Sequence, residues 1–76
     1  MTPYKNLGGN SGIESYEITD TSIHVRFKSG KLRNYLYDSN RPGMVIVEKM
    51  KSLAIRGQGL NSFISTTVKS NFAKKW

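Results

Sequence analysis

Residues 22–27, SIHVRF, alternate without a break: Ile23, Val25 and Phe27 fall on one side, His24 and Arg26 on the other. A period of two fits a half-buried strand and no amphipathic helix. The chain is therefore expected to build a sheet with one covered face and one wet face. At 76 residues there is room for one domain and not two. A chain this short buries only about 60% of its unfolded surface, so no deep interior is available for an enclosed active site.

The residues after the strand predict a hairpin. In KSGK (28–31), Ser29-Gly30 has the composition of a two-residue turn, and LRNYLY (32–37) reads as the return strand. That turn sets a register: Lys28 faces Lys31, Phe27 faces Leu32, Arg26 faces Arg33, Val25 faces Asn34, His24 faces Tyr35 and Ile23 faces Leu36. The dry face then holds Ile23, Val25, Phe27, Leu32 and Leu36, with Asn34 as its polar exception. The wet face holds His24, Arg26, Lys28, Lys31, Arg33, Tyr35 and Tyr37. A slip of one residue exchanges the faces of the whole return strand, so the inference hangs on the turn.

IESYEI (13–18) alternates in part and supplies a third strand, with Thr19-Asp20-Thr21 as turn material. Residues 1–12 contain Pro3 and three glycines and read as a mobile leader, with the ordered domain spanning 13–76. After a loop at 37–43, Ile46, Val47, Met50, Leu53 and Ala54 recur at helical spacing. Ser39 or Asn40 is the expected cap, Pro42 suits the first turn, and Gly57 suits the C-terminal cap. Asn61 is placed to cap a second helix over 62–75, with Phe63, Ile64, Thr67, Val68 and Phe72 on one stripe. The expected fold is α+β: a three-stranded antiparallel meander followed by two helices packed on one face.

Charge narrows the partners. Twelve Lys and Arg oppose five Asp and Glu, for a net charge of +7. After Glu48 come Lys49, Lys51, Arg56, Lys69, Lys74 and Lys75 with no acid among them. Such a field attracts nucleic acid, an anionic membrane or an acidic protein. The bland alternative is a solvated surface that keeps the protein soluble. No cysteine is present, which rules out disulfides and thiolate metal sites. Without an apolar h-region or a run near the roughly 20 residues of a membrane span, a cytoplasmic protein without membrane association is expected.

Three stretches, I-x-x-Y-x-I from Ile13, F-x-S-G-K over Phe27–Lys31 and G-x-G-L-N-S-F-I over Gly57–Ile64, together resemble the KTSC domain. This is a short bacterial and phage module named for the C-terminus of some lysyl-tRNA synthetases. The similarity covers about Ile13 to Phe72. Tyr35-Leu36-Tyr37 reads as the family's Y-x-Y hallmark, two residues later than an ungapped match puts it. The resemblance implies a small stand-alone module, for which RNA binding is the suggested role.

The candidate nucleic-acid-binding residues are Arg26, Lys28, Lys31, Arg33, Tyr35 and Tyr37: cations for phosphates and rings for bases. The expected like-charge pairs, Lys28 with Lys31 and Arg26 with Arg33, cost stability and point to an external anion. RNA is favoured over DNA, and docking of an acidic host or phage protein is the alternative. The glycines around Arg56–Asn61 lack a phosphate-loop pattern and read as a tight interhelical turn. Lys69, Lys74, Lys75 and Trp76 read as a frayed helix end. His24 is the sole histidine and five acids are scattered, so no catalytic group, metal site or cofactor is expected. The default oligomeric state is a monomer.

Overall fold

The alternating residues 22–27 form the middle strand of the sheet in a computed structural model of the chain, which describes residues 1–9 and 11–76. The strands are β1 (Thr2–Pro3), β2 (Ile13–Ile18), β3 (Ser22–Phe27), β4 (Asn34–Asp38) and β5 (Lys74–Lys75). They lie side by side in chain order, and every pair is antiparallel. The fold is α+β, as expected. The three-stranded meander is its centre, and a two-residue strand extends it at each edge. One face is covered by α1 (Met44–Arg56), by α2 (Leu60–Phe63) and by the π-helical turn Ile64–Val68 that continues α2.

The hairpin register differs from the two-residue turn. Phe27 N–H donates to the Arg33 carbonyl, and Lys28 N–H turns back to Gly12, so residues 28–33 form a wide loop. Ile23 therefore faces Tyr37, His24 faces Leu36, Val25 faces Tyr35 and Arg26 faces Asn34. The slip sends Tyr35 and Tyr37 to the covered face and Asn34 to the open one. Two rings enter the apolar layer, each a large burial of area. The polar exception leaves it, and neither like-charge pair forms. The cost is Leu32, which the loop leaves exposed.

A bulge in β2 adds a second adjustment. Ile13 pairs with Phe27 but Ser15 pairs with Arg26, so one extra residue sits in β2. The shift lets both Ile13 and Tyr16 face the core and leaves Glu14 exposed. Ile23, Val25 and Tyr37 meet Val47, Met50, Leu53 and Ala54 of α1, with Leu60, Ile64 and Val68 closing the layer. The α1 stripe matches the sequence spacing, and Gly57 ends the helix in the left-handed conformation.

The caps and ends need correction. Gly43, not Ser39 or Asn40, precedes α1, and no side chain caps it. Asp38 holds this loop instead, its carboxylate accepting the Asn40 and Arg41 amides. Gly59, not Asn61, precedes α2. The second helix does not run to residue 75. Its β-branched stretch Ile64-Ser65-Thr66-Thr67-Val68 is a poor helix former, and Lys69 leaves it with a positive φ.

The expected leader is built into the domain among its described residues; Asn10, which belongs to that leader, lies outside them. Thr2 and Pro3 pair with Tyr16 and Ser15. Tyr4 is buried, and its hydroxyl accepts the Leu60 N–H at 3.3 Å. Leu7 N–H donates to the Gly57 carbonyl. Pro3 lies on an edge strand, where a missing N–H is tolerated, and Tyr4 supplies the apolar anchor that a mobile leader lacks.

Candidate nucleic-acid interface

The register shift divides the six candidate residues between two surfaces. Arg26 stays on the open face of the sheet. Its Nε and the His24 Nε2 both reach Asn34 Oδ1, at 3.1 and 2.9 Å. Asn34 Nδ2 donates to the Trp76 carbonyl, so Oδ1 is the acceptor and His24 Nε2 carries the proton. Arg33, in the loop, shares the Glu14 carboxylate with Arg26, at 3.7 and 4.0 Å. An acid of the chain itself thus stands between the two arginines. The open face also carries Trp76, whose ring lies 4.9 Å from that of His24, with Lys74 Nζ at 5.5 Å. Lys28 is exposed in the loop, and its carbonyl accepts from Arg33 Nη1 at 3.4 Å.

Lys31, Tyr35 and Tyr37 meet elsewhere. They line an open groove of about 590 Å³ between the 28–33 loop, the covered side of β4 and the α2 end. Phe27 and Tyr35 supply aromatic wall, and Lys31, Lys69 and Lys75 stand around it. Among the described residues no carboxylate lines the groove. Among the described residues none of these three lysines forms an ion pair, while Arg26, Arg33 and Lys51 do.

The ring of Tyr35 is held from two sides. Phe27 and Phe72 meet it nearly perpendicularly, at centroid distances of 5.2 and 5.1 Å. Such edge contacts fix a ring's orientation. Lys75 Nζ lies 5.9 Å from its centroid. Tyr37 runs parallel behind it at 6.5 Å and is only 1% exposed. It has no free face to offer a base, which leaves Tyr35 as the half-buried ring of the expected pair. Burial, and secondarily the charge of an ionised Tyr35, push the Tyr37 phenol well above its ordinary range.

Lys75 and Lys69 reach the groove because the second helix stops early. Lys75 pairs with Tyr35 in β5, and Lys69 follows the π-helical turn. The β-branched run followed by Ser70-Asn71 is the sequence signal for that stop. Reading 62–75 as one helix hides both lysines. Among the described residues no group of three or more His, Asp or Glu is placed to hold a metal, and no helix is long and apolar enough to cross a membrane. No family model, no curated protein and no solved structure matches the chain.

Proposed function

We propose that this chain is a small non-catalytic nucleic-acid-binding module of the KTSC type, working through the lysine-rimmed groove. The observation that carries the reading is the meeting of three unpaired lysines and an oriented tyrosine ring in a groove without a carboxylate. Lysine ammoniums neutralise phosphates whatever the sequence, and an aromatic face accepts any base. Lysines and a tyrosine ring dominate the groove, with the Asn61 amide at its edge, so binding is led by backbone and stacking. RNA is favoured over DNA on the KTSC resemblance.

The test is a fluorescence-anisotropy titration with RNA at several salt concentrations. Affinity falls linearly in a log–log plot, and Lys31→Ala/Lys75→Ala flattens the slope by about 1.4, two contacts at about 0.7 each on a single strand. Tyr35→Ala weakens binding by about fivefold or more, since stacking contributes about 1–3 kcal/mol per base. No binding at physiological salt contradicts the reading. So does binding that survives these changes and disappears in Arg26→Ala/Arg33→Ala.

The second reading, docking of an acidic protein, draws on the open face. Trp76 is 43% exposed there beside Lys74 and His24, with Arg26 on the same face, and Trp and Arg are favoured at protein hot spots. An acidic polypeptide that binds through Trp76, with RNA ignored, favours that reading.

A further inference from the structure

Lys69 adopts a backbone conformation that lysine seldom takes. Its φ of 53° and ψ of −126° lie on the left-handed side, where glycine is at ease. The Asn71 N–H donates to the Val68 carbonyl at 3.1 Å, so Val68–Asn71 is a tight turn with Lys69 at its first central position. These angles are those of a type II′ turn, and that position favours glycine. Nothing in the turn itself requires a long side chain: Lys69 is exposed and makes no ion pair among the described residues. Its side chain does line the lysine-rimmed groove. Strained residues of this kind concentrate at ligand sites, where the side chain serves a purpose that the fold does not need.

The shape of the groove bears on which form of nucleic acid fits it. Its aromatic surface is the ring of Tyr35 with Phe27 set edge-on against it, in a cleft whose volume suits one ligand of nucleotide size. Bases in a duplex are stacked on their neighbours and cannot present a face to such a ring unless they are extruded. An unpaired base can. Across Asn61 and Ser65 the groove adjoins a neutral polar cleft of about 380 Å³ that includes Ser11 and Ser62. A strand leaving the groove thus has a continuing path lined by hydroxyl and amide groups.

We propose that the groove takes one unpaired nucleotide of a single strand, its base on Tyr35 and its phosphate between Lys69 and Lys75. The proposal rests on the nucleic-acid reading above and adds the strand form and the anchoring residue. Lys75, now over the Tyr35 ring, swings on its flexible stem to the phosphate as the base takes its place.

The experiment compares wild type with Lys69→Gly. Each is titrated with a short fluorescent RNA of mixed sequence and with the same strand annealed to its complement, and each is melted without ligand. Wild type binds the single strand at least about fivefold more tightly than the duplex, the equivalent of one lost stacking contact. Lys69→Gly raises Tm by about 4–8 °C by relieving the turn. It weakens single-strand binding several-fold and flattens the salt slope by about 0.7. A more stable variant with undiminished affinity removes Lys69 from the site while the groove reading stands. Equal affinity for duplex and single strand overturns the unpaired-strand proposal and leaves nucleic-acid binding intact. Binding of neither overturns both.

Discussion

Tyr37 places its ring in the core while lining the groove that Tyr35 opens. Its phenol holds its proton more tightly in the folded state than in the unfolded one, where it ionises near pH 10. The sign follows: this contribution is fully present below about pH 10 and is lost as pH rises further, because only the unfolded state then releases the proton. Tyr37→Phe removes the effect. Urea denaturation between pH 8 and 11 should show wild type losing stability relative to Tyr37→Phe above pH 10, by at most about 1.4 kcal/mol per pH unit. Parallel curves for the two proteins contradict the burial of this hydroxyl. Asn34 is the counterpart on the other face. Read from sequence it is a misfit in an apolar strand. In the fold, one side-chain oxygen accepts from Arg26 and His24, and the amide holds the Trp76 carbonyl.

At the level of elements, the strand cores were legible and their joints were not. β3 begins and ends where the alternation does, because burial on one face leaves a period of two in the residues, while β2 keeps the expected bounds although its bulge breaks that period. Gly57 marks the end of α1 for an equally local reason, a left-handed cap that L side chains resist. The β3–β4 register depends on a comparison no local pattern contains: two tyrosines buried against two leucines, with a polar Asn34 to place. Tyrosine suits either face of a sheet, so its spacing alone could not decide. The N-terminal strand escaped notice because a two-residue pairing has no period. Its seating is testable at Gly57. A Cβ there would stand 2.6 Å from the Lys5 Cβ, and the φ of 78° is itself unfavourable to other residues. Gly57→Ala should lower stability by about 1–3 kcal/mol, read by denaturant midpoint. It should also speed exchange of the Leu7 amide, which donates to the Gly57 carbonyl. An unchanged midpoint contradicts the docking of residues 4–7.

Across the whole molecule, the +7 charge is not spread evenly over the faces. Glu14 sits against Arg26 and Arg33, and Glu48 against Lys51. The groove keeps its three lysines free of acids. The excess of cations after Glu48 was plain in the sequence. Its landing place was not, since Lys69 and Lys75 join Lys31 only through a helix that ends early and a tail that returns as a strand. Half of the expected site residues, Lys31, Tyr35 and Tyr37, are together in the groove. Arg26 and Arg33 share an acid on the other side, and Lys28 is tied to Arg33 through its carbonyl. The most direct measurement is an amide NMR titration of the ¹⁵N-labelled protein with a short single-stranded RNA. Shifts centred on Lys31, Tyr35, Lys69 and Lys75, with His24, Arg26 and Trp76 little moved, are the result this account predicts. Shifts centred on the His24–Trp76 face, or none at all, contradict it.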